Sequence, residues 1–323
     1  MINKLSIILI AIIVTLLGVL IYTFANQPKN PSIDAIHADS TENQKVNYDQ
    51  YSETENQVKI VRPEPNGGRL KAIVELGTDG FNYFIVKIDG KKDWELVKPV
   101  YGASLSKENL LTESGLLQGL RNFIREIINY GVEGVNIHFA VSSGAQKNPE
   151  VIRMTNGLKE LGYVVNTVNY KKEAEGAWLA AVPKHLREES FVIDLGSGNT
   201  KVAWIGHDGK LVTQETYGAK YYQDEIGDQR VINNVKSIAE LVPIGRTKYC
   251  FIIGGVPYQM SKASQIGDER FTYLNEASHY NLEGKKNKSG LLIYKTFRQT
   301  TRCDQFIFDS HANFTIGYLL SIS

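Results

Sequence analysis

The stretch DLGSGNTKVAWIGHDGK, Asp194 to Lys210, has an earlier counterpart in ELGTDGFNYFIVKIDGK, Glu75 to Lys91. At a constant offset, both contain a carboxylate, a Gly/Ser/Thr-rich corner, an apolar run and Asp-Gly-Lys, in register and without a gap. Each copy predicts a β-hairpin that ends in an Asp-Gly turn. Glycine-rich hairpins are common enough to arise by chance, but recurrence of all these features in register favours a duplication. The sequence therefore predicts two similar domains.

The chain between the two copies alternates between helix and strand signals. Ser106–Gly131 has apolar residues at helical spacing, and a buried-looking strand then ends at Ser142-Ser143-Gly144. A helix from about Pro149 to Leu161, a short strand and a helix within Asn169–Pro183 follow. This alternation predicts an α/β layer structure in two lobes, at 69–186 and 187–323.

Composition narrows the classes of protein that fit. The 323 residues are 42% hydrophobic, which is enough apolar content for two hydrophobic cores. The formal net charge is +1, so the chain lacks the excess of positive charge that is typical of nucleic-acid-binding proteins. Only Cys250 and Cys303 are present, without metal-ligand spacing. We therefore expect no nucleic-acid partner, no structural zinc and no disulfide scaffold.

The N-terminus differs in kind from the rest of the chain. Leu5–Ala25 is uncharged over a length that can cross a bilayer, which predicts a transmembrane helix. The alternative is a signal peptide cleaved after Ala25, although the apolar run is longer than a usual signal core. Weak positive-inside bias places the globular part outside the cytoplasm. Residues 26–68 are polar and predict a flexible linker.

The duplicated corners suggest phosphate chemistry. Corners of this composition direct backbone N–H groups and hydroxyls toward one point, where they bind phosphate oxygens. The adjacent carboxylates, Glu75 and Asp194, would hold a hydrated Mg²⁺ ion. Two such corners facing across a cleft would grip a phosphate chain from both sides. The predicted phosphate-binding residues of the corners are Gly77, Thr78, Asp79, Gly80, Gly196, Ser197, Gly198 and Asn199.

A third carboxylate lies between the lobes. Glu173 stands at the start of the helix that links them, with Glu175 nearby. Negative charge at a helix N-terminus is often only capping and solvation. Since this helix joins the lobes, its first turn is expected to border the cleft.

The order of these motifs resembles the exopolyphosphatase and guanosine pentaphosphate phosphohydrolase (Ppx/GppA) family, within the actin, Hsp70 and sugar kinase superfold. The family's first Asp-x-Gly-Ser-Asn-Ser resembles Glu75–Phe81, and its Thr-Ser-Ala strand end resembles Val141–Ala145. Its Glu-Glu-Ala turn resembles Lys172–Ala174, and its second-lobe Asp-x-Gly-Gly-Gly-Ser-Thr-Glu resembles Asp194–Lys201. The resemblance implies a two-lobed actin-like ATPase (ribonuclease H-like) fold with duplicated domains.

The resemblance also implies roles for single residues. It places the water-activating glutamate on Glu173 and the Mg²⁺-associated aspartate on Asp194. Phosphate- or nucleotide-facing turns fall on the pairs Ser142-Ser143 and Gly254-Gly255. The sequence departs from the family at Glu75, where aspartate is expected, and at Lys201, where glutamate is expected; an arginine after the Thr-Ser-Ala strand has no counterpart. Lys201 reverses a charge and would contact phosphate instead.

The expected function is Mg²⁺-dependent hydrolysis of phosphoanhydride bonds, with polyphosphate or another phosphate-rich small molecule as partner. The alternative is a membrane-tethered polyphosphate- or nucleotide-binding pseudoenzyme of the same fold. A third reading is an ATPase or sugar kinase of this superfold. The membrane is an expected partner through the N-terminal helix, and homodimerisation is left open. The expected location is membrane-anchored and extracytoplasmic, or secreted if the segment is cleaved.

Overall fold

The computed structural model describes residues 57–77, 80–103, 112–265 and 269–323. Residues Lys59–Ser323 form one compact unit. The predicted transmembrane segment and most of the predicted linker lie outside the described residues. Within those residues, no helix combines the length and apolar character that crossing a membrane requires.

The first half of the compact unit is built on a five-stranded mixed sheet with the order β3-β2-β1-β4-β5. Its strands are β1 (Arg69–Gly77), β2 (Gly80–Ile88), β3 (Trp94–Ala103), β4 (Ile137–Val141) and β5 (Val165–Thr167). The predicted hairpin is β1 and β2, which pair antiparallel, whereas β4 and β5 run parallel to β1.

The second half is built on a six-stranded sheet with the order β10-β11-β9-β6-β7-β8. Its strands are β6 (Ser190–Leu195), β7 (Asn199–Ile205), β8 (Leu211–Tyr217), β9 (Tyr249–Ile253), β10 (Phe271–Leu274) and β11 (Gln305–Asp309). Here β6 and β7 form the second predicted hairpin, and β9 and β11 extend the sheet in parallel.

The two sheets repeat one topology, which agrees with the duplication predicted from the sequence. Each has an antiparallel meander of three strands followed by parallel strands on the side of the first strand; β10 is an added antiparallel edge in the second sheet. Glu75 pairs with Asn82 in the first hairpin, and Asp194 pairs with Lys201 in the second. Residues directly opposite in a ladder share a face of the sheet. Each carboxylate thus lies beside its cross-strand partner.

The helices cover both faces of each sheet. They are α1 (Glu113–Asn129), α2 (Pro149–Glu160), α3 (Tyr170–Ala181), α4 (Asp228–Ala239), α5 (Gly255–Ser264), α6 (Lys285–Thr301) and α7 (Phe314–Ile322). Alternate residues of β1 pack against α1 and α2 on one face of the first sheet, and α7 packs against the other. In the second sheet, α4, α5 and α6 share one core, while α3 contacts β6 to β9.

Helices α3 and α7 cross between the two halves at a pair of glycines. A Cβ on Gly176 would lie 2.2 Å from the carbonyl oxygen of Phe314, and one on Gly317 would lie 1.8 Å from that of Gly176. Only glycine permits backbones to approach so closely. The crossing joins α3, which contacts β6, to α7, which contacts β1.

Packing crosses the predicted domain boundaries at both ends. Helix α3 falls in the predicted first lobe but packs on the second sheet, whereas α7 falls in the predicted second lobe and packs on the first. The predicted linker also extends too far, because residues 59–68 belong to the compact unit. Arg62 shows the reason: its guanidinium is largely buried, donates to the carbonyl of Ala181 and pairs with Asp309 at 3.4 Å.

Candidate functional site

A cleft of about 710 Å³ opens where the carboxyl ends of β1, β4 and β6 meet. Ligands in open α/β sheets commonly bind outside the carboxyl ends of the strands. Most of the described residues that were predicted for the site line this cleft. They are Glu75, Gly77, Ser142, Asp194, Gly196, Ser197, Gly198, Asn199, Lys201, Gly254 and Gly255.

The other predicted site residues lie differently. Gly80 pairs with Gly77 at the tip of the first hairpin. Thr78 and Asp79 lie outside the described residues. Ser143 is half-buried, and Glu173 is fully buried.

Loops from the two halves contact each other at this cleft. A Cβ on Gly198 would lie 3.7 Å from the Cα atom of Gly144, which follows β4. The side-chain amide of Asn199 donates to the Ser143 hydroxyl at 3.3 Å and to Glu215 at 3.0 Å. The second corner therefore faces the turn after β4 directly.

Gly218 and Gly254 lie against the backbone of the second corner. A Cβ on Gly218 would lie 2.4 Å from the backbone nitrogen of Asn199, and one on Gly254, whose φ is +119°, would lie 2.3 Å from the carbonyl oxygen of Leu195. The backbone N–H of Lys220 also donates to the carbonyl of Ser197 at 2.8 Å. The corner is thus fixed by backbone contacts that leave no room for side chains.

A buried ion cluster lies at the floor of the cleft. The ammonium nitrogen of Lys201 is 2.7 Å from Oε2 of Glu173 and 3.6 Å from Oδ2 of Asp194. Lys201 and Asp194 are 5% and 6% exposed. The register of β6 and β7 places them side by side, and the first turn of α3 brings Glu173 to the same ammonium.

Glu173 has a well-defined set of partners. Its Oε1 accepts from the backbone N–H of Ser143 at 2.5 Å, and its Oε2 accepts from the Ser143 hydroxyl at 2.9 Å. With Lys201 added, each oxygen receives at least one donor. The carboxylate therefore connects the turn after β4 to the second hairpin, one layer behind the cleft surface.

Charges in this cluster influence one another. Burial alone would lower the pKa of Lys201, but the carboxylates of Asp194 and Glu173 outweigh it and raise the pKa above its ordinary value. Burial raises the pKa of Asp194, and Lys201 opposes that shift. Lys201 is consequently a positive charge at neutral pH.

Glu75 occupies the matching position in the first hairpin. The side-chain amide nitrogen of Asn82 donates to its Oε2 at 3.1 Å, and the backbone N–H of Gly102 donates to the side-chain Oδ1 of Asn82 at 3.0 Å. Burial raises the pKa of Glu75 to about 7, against the lowering effect of the Asn82 hydrogen bond. The carboxyl group of Glu75 therefore changes from protonated to ionised near neutral pH.

The raised pKa makes stability depend on pH. Between its ordinary 4.5 and about 7, folded Glu75 holds its proton more tightly than the unfolded chain does, so its contribution to the free energy of unfolding falls as pH rises. We expect Glu75→Gln to remove this loss. The melting temperature of the variant minus that of the wild type should increase from pH 5 to pH 8. Exposed Glu126→Gln serves as the control, and an equal increase there would contradict the assignment.

Residues of the cluster do not fit a directly bound Mg²⁺ ion. Hard divalent cations need several oxygen ligands converging on one point. The ammonium of Lys201 already contacts the two nearest carboxylates, and no cluster of three or more His, Cys, Asp or Glu side chains in the described residues is arranged to hold a metal. Binding of Mg²⁺ therefore remains a prediction, and the residues found at this site do not favour it.

Two basic residues of the cleft were missed at the sequence level. Lys220 and Lys286 both line it, Lys220 after β8 and Lys286 in the first turn of α6. Neither belongs to a recognisable motif, and both reach the cleft only through the packing of the second half. For Lys220, the one sequence feature that could have predicted a place in the cleft is its position directly after Gly218-Ala219.

Together the two sheets, the crossed helices and the cleft define a two-lobed α/β fold of the actin-like type. A Ppx/GppA family member from Aquifex aeolicus has the same fold, with 14% sequence identity and a TM-score of 0.58 over 79% of this chain and 97% of that one. An exopolyphosphatase from Cytophaga hutchinsonii matches with 12% identity and a TM-score of 0.56, again over 79% and 97%. An exopolyphosphatase-like protein matches with 13% identity and a TM-score of 0.57 over 80% and 98%.

At these identities the similarity shows the fold. The chain has the fold of the Ppx/GppA exopolyphosphatase structures, which confirms the predicted resemblance at that level. No protein-family model matches the sequence, and no curated protein does.

Proposed function

We propose that the chain is a Ppx/GppA-type phosphoanhydride hydrolase that acts on polyphosphate or a similar phosphate-rich compound. The observation that carries the proposal is that Gly77, where the first hairpin's corner begins, and Gly196–Asn199 of the second line one cleft, with a buried lysine at its floor. The shared fold and the near-complete coverage of Ppx/GppA structures support it. Membership of that family, the substrate and the location outside the cytoplasm are parts of the same proposal.

The cleft offers groups suited to phosphoryl transfer. Such reactions depend mostly on positioning and on neutralising charge, with little covalent work for the protein. Backbone N–H groups at Gly144 and at Ser197-Gly198 would hold phosphate oxygens, and Lys201 would neutralise developing charge. A phosphate chain would then extend along the cleft toward Lys220 and Lys286.

Glu173 is the group proposed to accept a proton from the attacking water. In the structure its oxygens are occupied by Ser143 and Lys201. An arriving phosphate offers Lys201 a more highly charged partner, so the ammonium would move from Glu173 to the substrate. Substrate binding would thereby remove one of the two donors to Oε2 of Glu173, which would then accept only from the Ser143 hydroxyl and could take a proton from water.

Glu173→Gln tests this role. We expect the rate of phosphate release from polyphosphate to fall by about 10²–10⁴-fold, because a positioned general base contributes about that much. The measurement is phosphate release by the purified full chain in mild detergent, with guanosine tetra- and pentaphosphate and ATP as parallel substrates.

Glu175→Gln is the matched control. Glu175 lies on the same helix, pairs with Lys172 at 2.7 Å and does not line the cleft. Its variant should retain the wild-type rate and circular dichroism spectrum. If Glu173→Gln also retains that rate, Glu173 has no part in the chemistry.

Binding without turnover is the second candidate function. It is favoured by the complete burial of Glu173, which separates its carboxylate from water in the absence of ligand. Under this reading Lys201 and Glu173 remain paired when phosphate binds. Saturable tripolyphosphate binding with no phosphate released over a long incubation would decide for it, and steady turnover would decide against it.

A further inference from the structure

We propose that the ammonium of Lys201 is a built-in cation that takes the place of a divalent metal, so that this cleft binds phosphoanhydride chains without Mg²⁺. The inference rests on the proposed function of the cleft and specifies how that cleft neutralises its ligand. It follows from the disagreement between the side chains present and a coordinated ion.

Lys201 is positioned as a permanent part of the site. It lies in the interior of β7, opposite Asp194, and the backbone register fixes its direction. Its ammonium contacts Asp194 and Glu173, and the Phe314 ring centroid lies 5.8 Å away. A lysine that is 5% exposed and paired in this way differs from a solvated surface lysine.

Electrostatics makes the ammonium and a bound metal mutually exclusive. Its two nearest carboxylates are the ligands that a divalent ion at this position would need. A divalent ion among them would stand within a few ångströms of an existing positive charge, with little water between to screen the repulsion. The ammonium of Lys201 therefore neutralises Glu173 and Asp194 in place of a metal ion.

The two hairpins differ in whether the cross-strand partner of the carboxylate carries a positive charge. The position equivalent to Lys201 in the first hairpin is Asn82, which donates to Glu75 through a neutral amide. The hairpins thus share a carboxylate but differ in its cross-strand partner. Positive charge is concentrated at the second corner, where Gly196–Asn199 line the cleft.

The ligand class follows from this arrangement. An ammonium that already lines the cleft can donate to a phosphate oxygen while staying near Asp194. Short phosphoanhydride chains such as tripolyphosphate provide such oxygens and suit the corners around them. No metal has to be recruited from solution for this contact.

The test uses the full chain in detergent and two binding measurements. Free Mn²⁺ is followed by its electron paramagnetic resonance signal, which reports binding of the metal alone. Tripolyphosphate binding is measured by calorimetry in EDTA. We expect wild type to leave the Mn²⁺ signal unchanged and to bind tripolyphosphate in EDTA. Lys201→Gln should bind tripolyphosphate at least about tenfold more weakly, since a charge-assisted hydrogen bond is lost.

Lys201→Glu provides the converse result, because it removes the cation and adds a carboxylate. It should gain Mn²⁺ binding. Lys210→Glu is the control; its ammonium belongs to the exposed turn after β7 and pairs with Asp208 at 3.6 Å. If Lys201→Glu does not fold, as judged by circular dichroism, the wild-type and Lys201→Gln measurements decide alone.

Stoichiometric Mn²⁺ binding by the wild type, or tripolyphosphate affinity unchanged in Lys201→Gln, would overturn the inference. Tripolyphosphate binding by the wild type only when Mg²⁺ is added would also overturn it while leaving the proposed function intact. Absence of binding both with and without Mg²⁺ would instead remove the proposed function, and this inference with it.

Discussion

Gly317→Ala should destabilise the chain by roughly 3 kcal/mol or more, at or above the upper end of the usual cost of overpacking. The added methyl carbon would lie 1.8 Å from the carbonyl oxygen of Gly176, and that atom is backbone, so no flexible side chain can move aside. Helices α3 and α7 would have to separate along the crossing that joins the two halves. A shift there would also move Glu173 on α3 and Phe314 on α7 relative to Lys201.

Urea denaturation followed by circular dichroism measures this effect. Gly245→Ala is the matched control, because a Cβ there has no atom within 4 Å and should be nearly neutral. We also expect Gly317→Ala to weaken tripolyphosphate binding at urea concentrations below the denaturation midpoint, where the variant is still folded. A destabilisation equal to that of Gly245→Ala would show that the two helices do not cross as closely as described.

Lys201→Met is the second substitution with a large expected effect, roughly 3–5 kcal/mol, because removing one partner of a buried ion pair leaves the other charges uncompensated. Burial already raises the pKa of Asp194, and Lys201 opposes that rise. Without the ammonium, burial would favour uptake of a proton by Asp194 on folding. The folded state then binds more protons than the unfolded state, so the unfolding free energy of the variant falls as pH rises.

Denaturation of wild type and Lys201→Met at several pH values tests this account. The stability deficit should be small near pH 4 and should grow toward pH 8. Adding Glu173→Gln to Lys201→Met should recover part of the deficit, since a charge would be removed with its partner. A deficit independent of pH, with no recovery in the double variant, would mean that Lys201 contributes through packing alone.

The sequence predicts the hairpins and their duplication well because the signals are local. Alternating apolar residues, a glycine corner and an Asp-Gly turn specify antiparallel pairing within about twenty residues of chain. The constant offset between copies further aligns Asn82 with Lys201, so the cross-strand partners of Glu75 and Asp194 follow from the repeat itself.

The rest depends on contacts between distant segments, which no local pattern specifies. Helix α3 packs on the second sheet and α7 on the first, and this arrangement requires contact between Gly176 and Gly317, which are more than a hundred residues apart in the chain. The ion pair between Lys201 and Glu173 likewise depends on how α3 lies against β7. Sequence reasoning identified each of these two residues but not their contact, and that contact determines how a metal or a substrate is received.

The central claim is that loops from both halves bind phosphate oxygens in one cleft. Its most direct test is a crystal structure of the protein bound to tripolyphosphate. We predict phosphate oxygens within hydrogen-bonding distance of backbone nitrogens at both Gly144 and Gly198, with the Lys201 ammonium moved toward the ligand. Tripolyphosphate bound elsewhere, or contacting only one half of the molecule, would contradict the account.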